Sequence, residues 1–328
     1  MELLAQGVAL PPSVRGTAVT VGTFDGVHRG HRDVLGRLVQ RARDARLPSL
    51  LVTFEPHPLE VLNPAAAPLL LTTREEKLDA LGDTGLDYVA ILAFTPELAA
   101  QSAEDFVDVV LLERYRMREL LIGHDHGFGR GREGDVETLR ALGANRDFRV
   151  EVVAPIETAR GEAVSSSLIR RAVAAGELAE AAAALGRDYG VSGRVVPGAA
   201  RGRTLGFRTL NIEPESPRKL LPPDGVYAVD VHTPRGRFGG MMNLGGRPTF
   251  GDERRTIEAH LFDAEGDFYD DLVHVRLVRR LRDTMRFDGP EALMSQLAAD
   301  ERAARRALTA LGRSGNVNGS TPAPPSTP

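Results

Sequence analysis

The chain has 328 residues, 42% of them hydrophobic, with a net charge of −4 and no cysteine. That is enough apolar material for two ordinary domains and excludes a disordered composition, while the mild acidity excludes nucleic-acid binding through a global basic field. Without cysteine there is no disulfide framework, thiolate metal site or cysteine nucleophile; without an apolar run of ~18 residues or a signal-peptide pattern, no membrane association is expected and a cytoplasmic location is.

In the first part of the chain, apolar runs at 18–24, 49–54, 88–94, 119–123 and 149–156 alternate with helical patterns at 31–46, 75–81, 103–116, 136–142 and 166–175. The pattern at 31–46 is the clearest, with Val34, Leu35, Leu38, Val39 and Ala42 on one face. Such alternation predicts an α/β domain with a parallel sheet covered on both faces, where ligands sit at the carboxyl ends of the strands. After Leu185 the pattern changes to short β-rich segments at 191–196, 225–232, 238–244, 256–262 and 272–281, separated by glycine and proline turns. That spacing predicts an antiparallel barrel, with a helix at 290–311 packed across it. Residues 314–328, without apolar periodicity, read as a disordered tail, and the domain boundary is expected within 186–190.

The stretch VGTFDGVHRGH, from Val21 to His31, places two of the chain's eight histidines between a predicted strand and the first helix. Free N–H groups and the helix dipole make that junction an anion site. His28 and His31, three apart, can point the same way and donate to phosphate oxygens. A zinc site would need a third ligand, for which only Asp25 is close in sequence, and HExxH is absent. Two solvated loop histidines are the plainer alternative. The only lysines, Lys77 and Lys219, follow no glycine-rich loop, so a P-loop is absent and ATP would need another cradle.

Further stretches repeat this concentration of glycine, histidine and hydroxyl groups: TFEPHP (Thr53–Pro58), GHDHGFGRGREGD (Gly123–Asp135) and VSSSLIR (Val164–Arg170). VGTFDGVHRGH resembles the HxGH signature of α/β nucleotidyltransferases. The four stretches in order resemble the adenylyltransferase half of the bifunctional bacterial riboflavin kinase/FMN adenylyltransferase (FAD synthetase) family. In the second half, SGRVVPGAARGRTLGFRTLNI (Ser192–Ile212), MMNLGGRPTFG (Met241–Gly251) and TIEAHLFD (Thr256–Asp263) resemble that family's kinase motifs.

The resemblance implies a Rossmann-like FMN adenylyltransferase domain at 1–186 and a riboflavin kinase barrel at 187–313. It implies ATP, riboflavin and FMN as substrates, FAD as product and Mg²⁺ as cofactor. His28 and His31 would act in catalysis on the ATP phosphates; Gly22, Phe24, Asp125, Ser166, Ser167, Arg170, Gly202, Thr209 and Asn211 would bind ATP or phosphate. Ser166 also fits a helix N-cap. His57 would lie near the flavin, although a turn histidine between two prolines is an equal reading. Thr209 and Asn211 offer hard oxygen ligands for Mg²⁺, though by pattern alone they are ordinary loop residues. Glu258 shares a strand face with His260, opposite Ile257, Ala259 and Leu261. In the family a glutamate here is the general base; otherwise it reads as a solvated strand residue. Arg282 and Phe287, in RDTMRF, would contact flavin.

Departures are concentrated in the second half. Ser167 keeps the hydroxyl of a usual threonine, Leu168 replaces a frequent arginine and His126 an aromatic. Arg208 and Leu210 replace the proline and alanine of "PTAN", Asp270 replaces a glycine, Arg286 a lysine, and Thr284 an acidic residue. Loss of a φ-fixing proline should cost preorganisation of a phosphate loop, unless Arg208 contacts phosphate itself. Two alternatives therefore stand beside the bifunctional enzyme: an adenylyltransferase with a kinase-impaired, flavin-binding barrel, and a flavin-binding regulatory protein. The oligomeric state is left open.

Overall fold

The run TAVTV (Thr17–Val21, β2) is buried at all five positions, as expected of a strand covered on both faces. The structure is a computed structural model that describes residues 1–5, 8–123, 127–198, 209–246, 255–312 and 317–318. In chain order its first elements are β1 (Glu2–Leu4), β2, α1 (Arg29–Ala45), β3 (Ser49–Glu55), α2 (Pro58–Leu62), α3 (Arg74–Leu81), β4 (Tyr88–Ala93) and α4 (Pro96–Ala100). Next come α5 (Ala103–Asp105), which runs on into a π-helical segment at Phe106–Arg114, then β5 (Met117–Gly123), α6 (Val136–Arg146) and β6 (Arg149–Val153).

These strands form one sheet in the order β1-β4-β3-β2-β5-β6, parallel at every pairing. Alternate residues feed two cores. Ala18, Leu51, Val89 and Leu121 pack with Leu35, Leu38 and Leu81 of α1 and α3. Val19, Val21, Leu50, Val52 and Leu120 pack with Phe106, Val110 and Leu139 on the other face. The strand order reverses between β2 and β5, so the 22–28 loop leaves β2 at the topological switch point. The predicted strand at 18–24 stops at Val21 because Phe24, Gly26 and Val27 take left-handed backbone angles that no strand accommodates. β1, three residues at the sheet edge, is too short to carry a detectable period.

Packing divides the chain into two units, Met1–Ser166 and Ser167–Pro328, ahead of the expected boundary at 186–190. The reason is that α7 (Ser166–Ala175) and α8 (Leu178–Leu185) belong largely with the second unit. α8 packs on the strand Leu272–Arg282, and Gly176 lies against the Pro223 ring.

The strands of the second unit are β7 (Gly190–Val196), β8 (Leu210–Pro214), β9 (Gly225–Thr233), β10 (Gly236–Gly246), β11 (Arg255–Leu261) and β12 (Leu272–Arg282). They pair in the order β11-β8-β7-β12-β9-β10, and β10 pairs back with β11, closing a six-stranded antiparallel barrel. Closely approaching strands exclude side chains at some positions: a Cβ on Gly193 would lie 2.3 Å from the Glu213 carbonyl oxygen. Helix α9 (Pro290–Ala310) packs Ala304, Ala307 and Leu308 against Ala228, Met241 and Phe262 of the barrel wall. Most of the expected tail lies outside the described residues, but Val317–Asn318 (β13) pairs with the start of β10, so the reading of 314–328 as wholly disordered does not hold for those two.

Candidate active sites

His28 is the N-cap of α1: its backbone is extended and its Nδ1 accepts the His31 N–H at 3.2 Å. A ring nitrogen that accepts carries no proton, so Nε2 is the N–H donor of neutral His28. The two imidazoles stack with centroids 3.6 Å apart, and Phe24 lies 4.6 Å beyond His31. Gly30 makes the stack possible, since a Cβ there would sit 3.2 Å from the His28 ring. The spacing HxGH thus has a local cause: one histidine caps the helix, the other stacks on it, and a side chain at Gly30 would press on the His28 ring. Helix α1 begins at Arg29, two residues earlier than the periodicity predicts, because capping rather than apolar pattern sets its start.

The loop behind the histidines is bent at Phe24 (φ 48°), Gly26 (φ 84°) and Val27 (φ 38°). Two of these are not glycine, and such backbone costs on the order of 1–3 kcal/mol per residue unless the surroundings hold it. Asp25, 2% exposed, accepts from the backbone N–H groups of Leu71 and Thr72 and from the Thr72 hydroxyl. Those contacts turn its carboxylate toward the 71–72 backbone, which removes the geometric motive for a zinc ligand. Ser166, the first helical residue of α7 rather than its N-cap, donates its hydroxyl to the Asp25 carbonyl at 2.9 Å.

Phe24, expected to bind ATP, is 4% exposed and packs in the core against His31, so it supports that imidazole. Gly22 supports that ring in turn, as a Cβ there would lie 3.0 Å from it. His57 caps α2: its Nδ1 accepts the Leu59 N–H at 3.2 Å while its backbone N–H donates to Glu60 at 3.1 Å. The turn-histidine reading describes that geometry. Ser167 and Arg170 lie further along α7, past the division between the units. Asp125 lies outside the described residues. The rest of its motif is structural: Gly129 and Gly134 pass so close to Ala103 that a Cβ on either would collide with it, and Asp135 caps α6 through the Thr138 N–H.

The second site is a row across the barrel wall. Glu258 on β11 faces Asn211 on β8 in one direction and Asn243 on β10 in the other. Asn243 pairs with Val226 on β9, and Val226 with Arg282 on β12. Directly opposed residues project to the same face, so Asn211, Glu258 and Asn243 lie on one side of the wall, whereas the β9–β12 pairing is irregular between Arg280 and Arg282. Ile257, Ala259 and Leu261 are buried on the opposite face, as alternation predicts.

Asn211 rests on Gly198, where a Cβ would be 1.9 Å from its Nδ2. Thr209 stands just before β8. The Asn211 amide oxygen and the Glu258 carboxylate in one strand pairing, with the Thr209 hydroxyl just ahead of β8, are hard oxygen donors, a set that suits a small divalent cation retaining most of its waters. Gly202 and Arg208 lie outside the described residues. Arg282 has a commitment the sequence does not disclose. Its Nε and Nη2 bond Asp300 of α9 at 3.0 and 2.7 Å, with Asp300 3% exposed and also accepting from Gln296. Its guanidinium lies 5.9 Å from the Phe287 ring centre. The residue expected to contact flavin thus anchors the terminal helix. Asn243 escapes sequence reasoning because the register that aligns it with Glu258 is not visible in sequence; its segment reads only as a motif.

Two family models match the chain in succession: one described as FAD synthetase over residues 10–168, the other as riboflavin kinase over 185–308. The chain is 40% identical to a bifunctional riboflavin kinase/FMN adenylyltransferase of Pseudomonas fluorescens, over 93% of this chain and 97% of that one. It is 38% identical to the enzyme of that description from Escherichia coli K12, over 88% and 92% of the two chains. Among solved structures, one described as a macrolide-efflux protein from Streptococcus pneumoniae superposes with a TM-score of 0.79 at 32% identity, covering 90% of this chain and 95% of that one. No helix among the described residues is long and apolar enough to cross a membrane.

Proposed function

The chain belongs to the bifunctional riboflavin kinase/FMN adenylyltransferase family, and from that premise we propose how its residues divide the work. The protein phosphorylates riboflavin with ATP to give FMN and ADP, then transfers an adenylyl group from a second ATP to FMN, giving FAD and pyrophosphate. The N-terminal α/β domain carries the second reaction and the barrel the first.

In adenylyl transfer an FMN phosphate oxygen attacks the α-phosphorus of ATP and pyrophosphate leaves. Charge builds on the bridging and non-bridging oxygens. His28 Nε2–H, fixed by the contact at Nδ1, and the adjacent His31 donate to those oxygens, with the α1 N-terminus adding its dipole. By the family resemblance Gly22, Ser166, Ser167, Arg170 and Asp125 would bind the nucleotide. His57 would contact flavin while holding α2.

In the kinase reaction Glu258 takes the proton of the riboflavin 5′-hydroxyl as that oxygen attacks the γ-phosphorus and ADP leaves. Thr209 and Asn211 would hold Mg²⁺, and by the family resemblance Gly202 would bind phosphate. The ion, when bound, neutralises charge on the transferring phosphoryl group. Phe287 packs on the flavin, with Arg282 holding the segment in place. The observation that carries this reading is the direct pairing of Asn211 with Glu258, which sets an amide ligand beside a carboxylate base on one face. A barrel reduced to flavin binding has no use for that pair, and the riboflavin kinase match over 185–308 does not favour the reduced reading. The substrates are small molecules, and we place the protein in the cytoplasm.

Incubation with riboflavin, ATP and Mg²⁺, with separation of products over time, tests this. FMN appears first and FAD after it. FAD formed from FMN but never from riboflavin would overturn the bifunctional assignment.

A further inference from the structure

Arginine supplies nearly all the positive charge of this chain, and lysine stands at only two positions, Lys77 and Lys219. Lys77 is half-buried on α3, one turn into the helix, and its Nζ donates to the Thr23 carbonyl at 3.0 Å. Thr53 of β3 donates to the same oxygen, also at 3.0 Å. Thr23 lies between Gly22 and Phe24, at the entry to the bent loop that ends in His28. The segment leading into α3 grips the same loop further on, through Asp25 and through the Gly26 N–H, which donates to the Thr72 hydroxyl at 3.0 Å.

A loop that must hold two histidines in one arrangement needs its backbone groups satisfied within the protein, and here the Gly22 N–H goes to the Val52 carbonyl and the Gly26 N–H to the Thr72 hydroxyl. Thr23 gives its oxygen to Lys77 and Thr53, Phe24 gives its own to the Val27 N–H, and Asp25 to Ser166. The loop also contains a buried carboxylate, Asp25, which repels any bound phosphate. Lys77 supplies the opposite charge: burial pushes the pKa of its ammonium down, and the attraction of Asp25 and then Glu55 pulls it back up. A lysine suits this place better than an arginine because one carbonyl is met by one compact donor, without a planar fork to accommodate.

We propose that Lys77 is a positioning residue for adenylyl transfer, holding the 22–28 loop through the Thr23 carbonyl and offsetting Asp25, so that His28 and His31 are presented to the nucleotide phosphates. The inference rests on the assignment of that reaction to the N-terminal domain.

The test uses the full chain, with FMN-to-FAD conversion and riboflavin phosphorylation measured side by side. Lys77→Met keeps the length of the side chain and removes its charge and its donor. It lowers kcat for FAD formation by roughly 10–100-fold, the cost of a lost hydrogen bond to a charged group, with KM for FMN unchanged. Lys77→Arg restores part of that rate, and riboflavin phosphorylation is unaffected in both. If Lys77 merely fills space, the methionine variant matches wild type and the arginine variant is the worse of the two, and the inference is overturned. Parallel loss of both reactions overturns it as well, since the effect is then general to the fold. Failure of the wild-type chain to make FAD from FMN would instead overturn the assignment on which the inference rests.

Discussion

The nucleotide loop and the barrel row reach comparable chemistry by opposite construction. In the first, His28, Gly30 and His31 adjoin in sequence, and their geometry comes from one helix cap, one ring stack and one missing side chain. In the second, Asn211, Glu258 and Asn243 come from three strands and are aligned only because the register is what it is. A one-residue slip of β11 would turn Glu258 to the inside of the barrel and Ile257 outward. The loop site is therefore vulnerable to what happens within it, and the row to whatever sets the pairing of its strands.

The sharpest way to break that contrast is to remove one chemical group from each side. Glu258→Ala lowers riboflavin phosphorylation by about 10²–10⁴-fold, the range for a general base, while FMN-to-FAD conversion keeps its wild-type rate. His28→Ala lowers FAD formation from FMN by about 10²–10³-fold, as loss of a transition-state donor does, and leaves phosphorylation intact. Should either variant lose both reactions while still folded, as read by circular dichroism, the division of labour between the domains is wrong.

Smaller changes sharpen the comparison. Gly198→Ala places a methyl where the Asn211 amide now lies, 1.9 Å from Nδ2, so the amide must move. Riboflavin phosphorylation then falls by roughly 10-fold or more, as misplaced groups do, and a normal rate would separate Asn211 from the chemistry. Phe24→Leu keeps the core filled but removes the ring beside His31. An aromatic contact is worth about 0.5–1.5 kcal/mol, so FAD formation slows by a few-fold, in steady-state assays with saturating FMN.

This contrast also governs what the sequence discloses. The helix over 290–310, the buried strands of the parallel sheet and the alternation at 257–261 are legible, because burial on one or both faces writes its period into the residues. The histidine loop is legible because its causes lie within a few residues. What the sequence conceals is non-local or too short for a period. β8, five residues after a glycine-rich stretch, gives no alternation to read. The Arg282–Asp300 pair joins a strand to a helix, and nothing near Arg282 in sequence distinguishes an anchor from a ligand contact. Lys77 stands out only as a rare residue type, and its contact with Thr23 crosses from α3 to the β2 loop. Phe24 is a case of the opposite kind: its place in a motif suggests contact with nucleotide, and the motif does not disclose that the residue is buried beside His31 as a support.

The central claim is that one chain holds two separable active sites, and mixing the two inactivated forms tests it directly. Glu258→Ala and His28→Ala proteins are each incubated with riboflavin, ATP and Mg²⁺, alone and together. The predicted result is FAD from either alone at no more than about a hundredth of the wild-type rate, accumulation of FMN by the His28→Ala protein, and faster FAD formation by the mixture as released FMN reaches the intact adenylyl site. FAD from riboflavin at the wild-type rate with the His28→Ala protein alone, or no FMN from it at all, would contradict the claim.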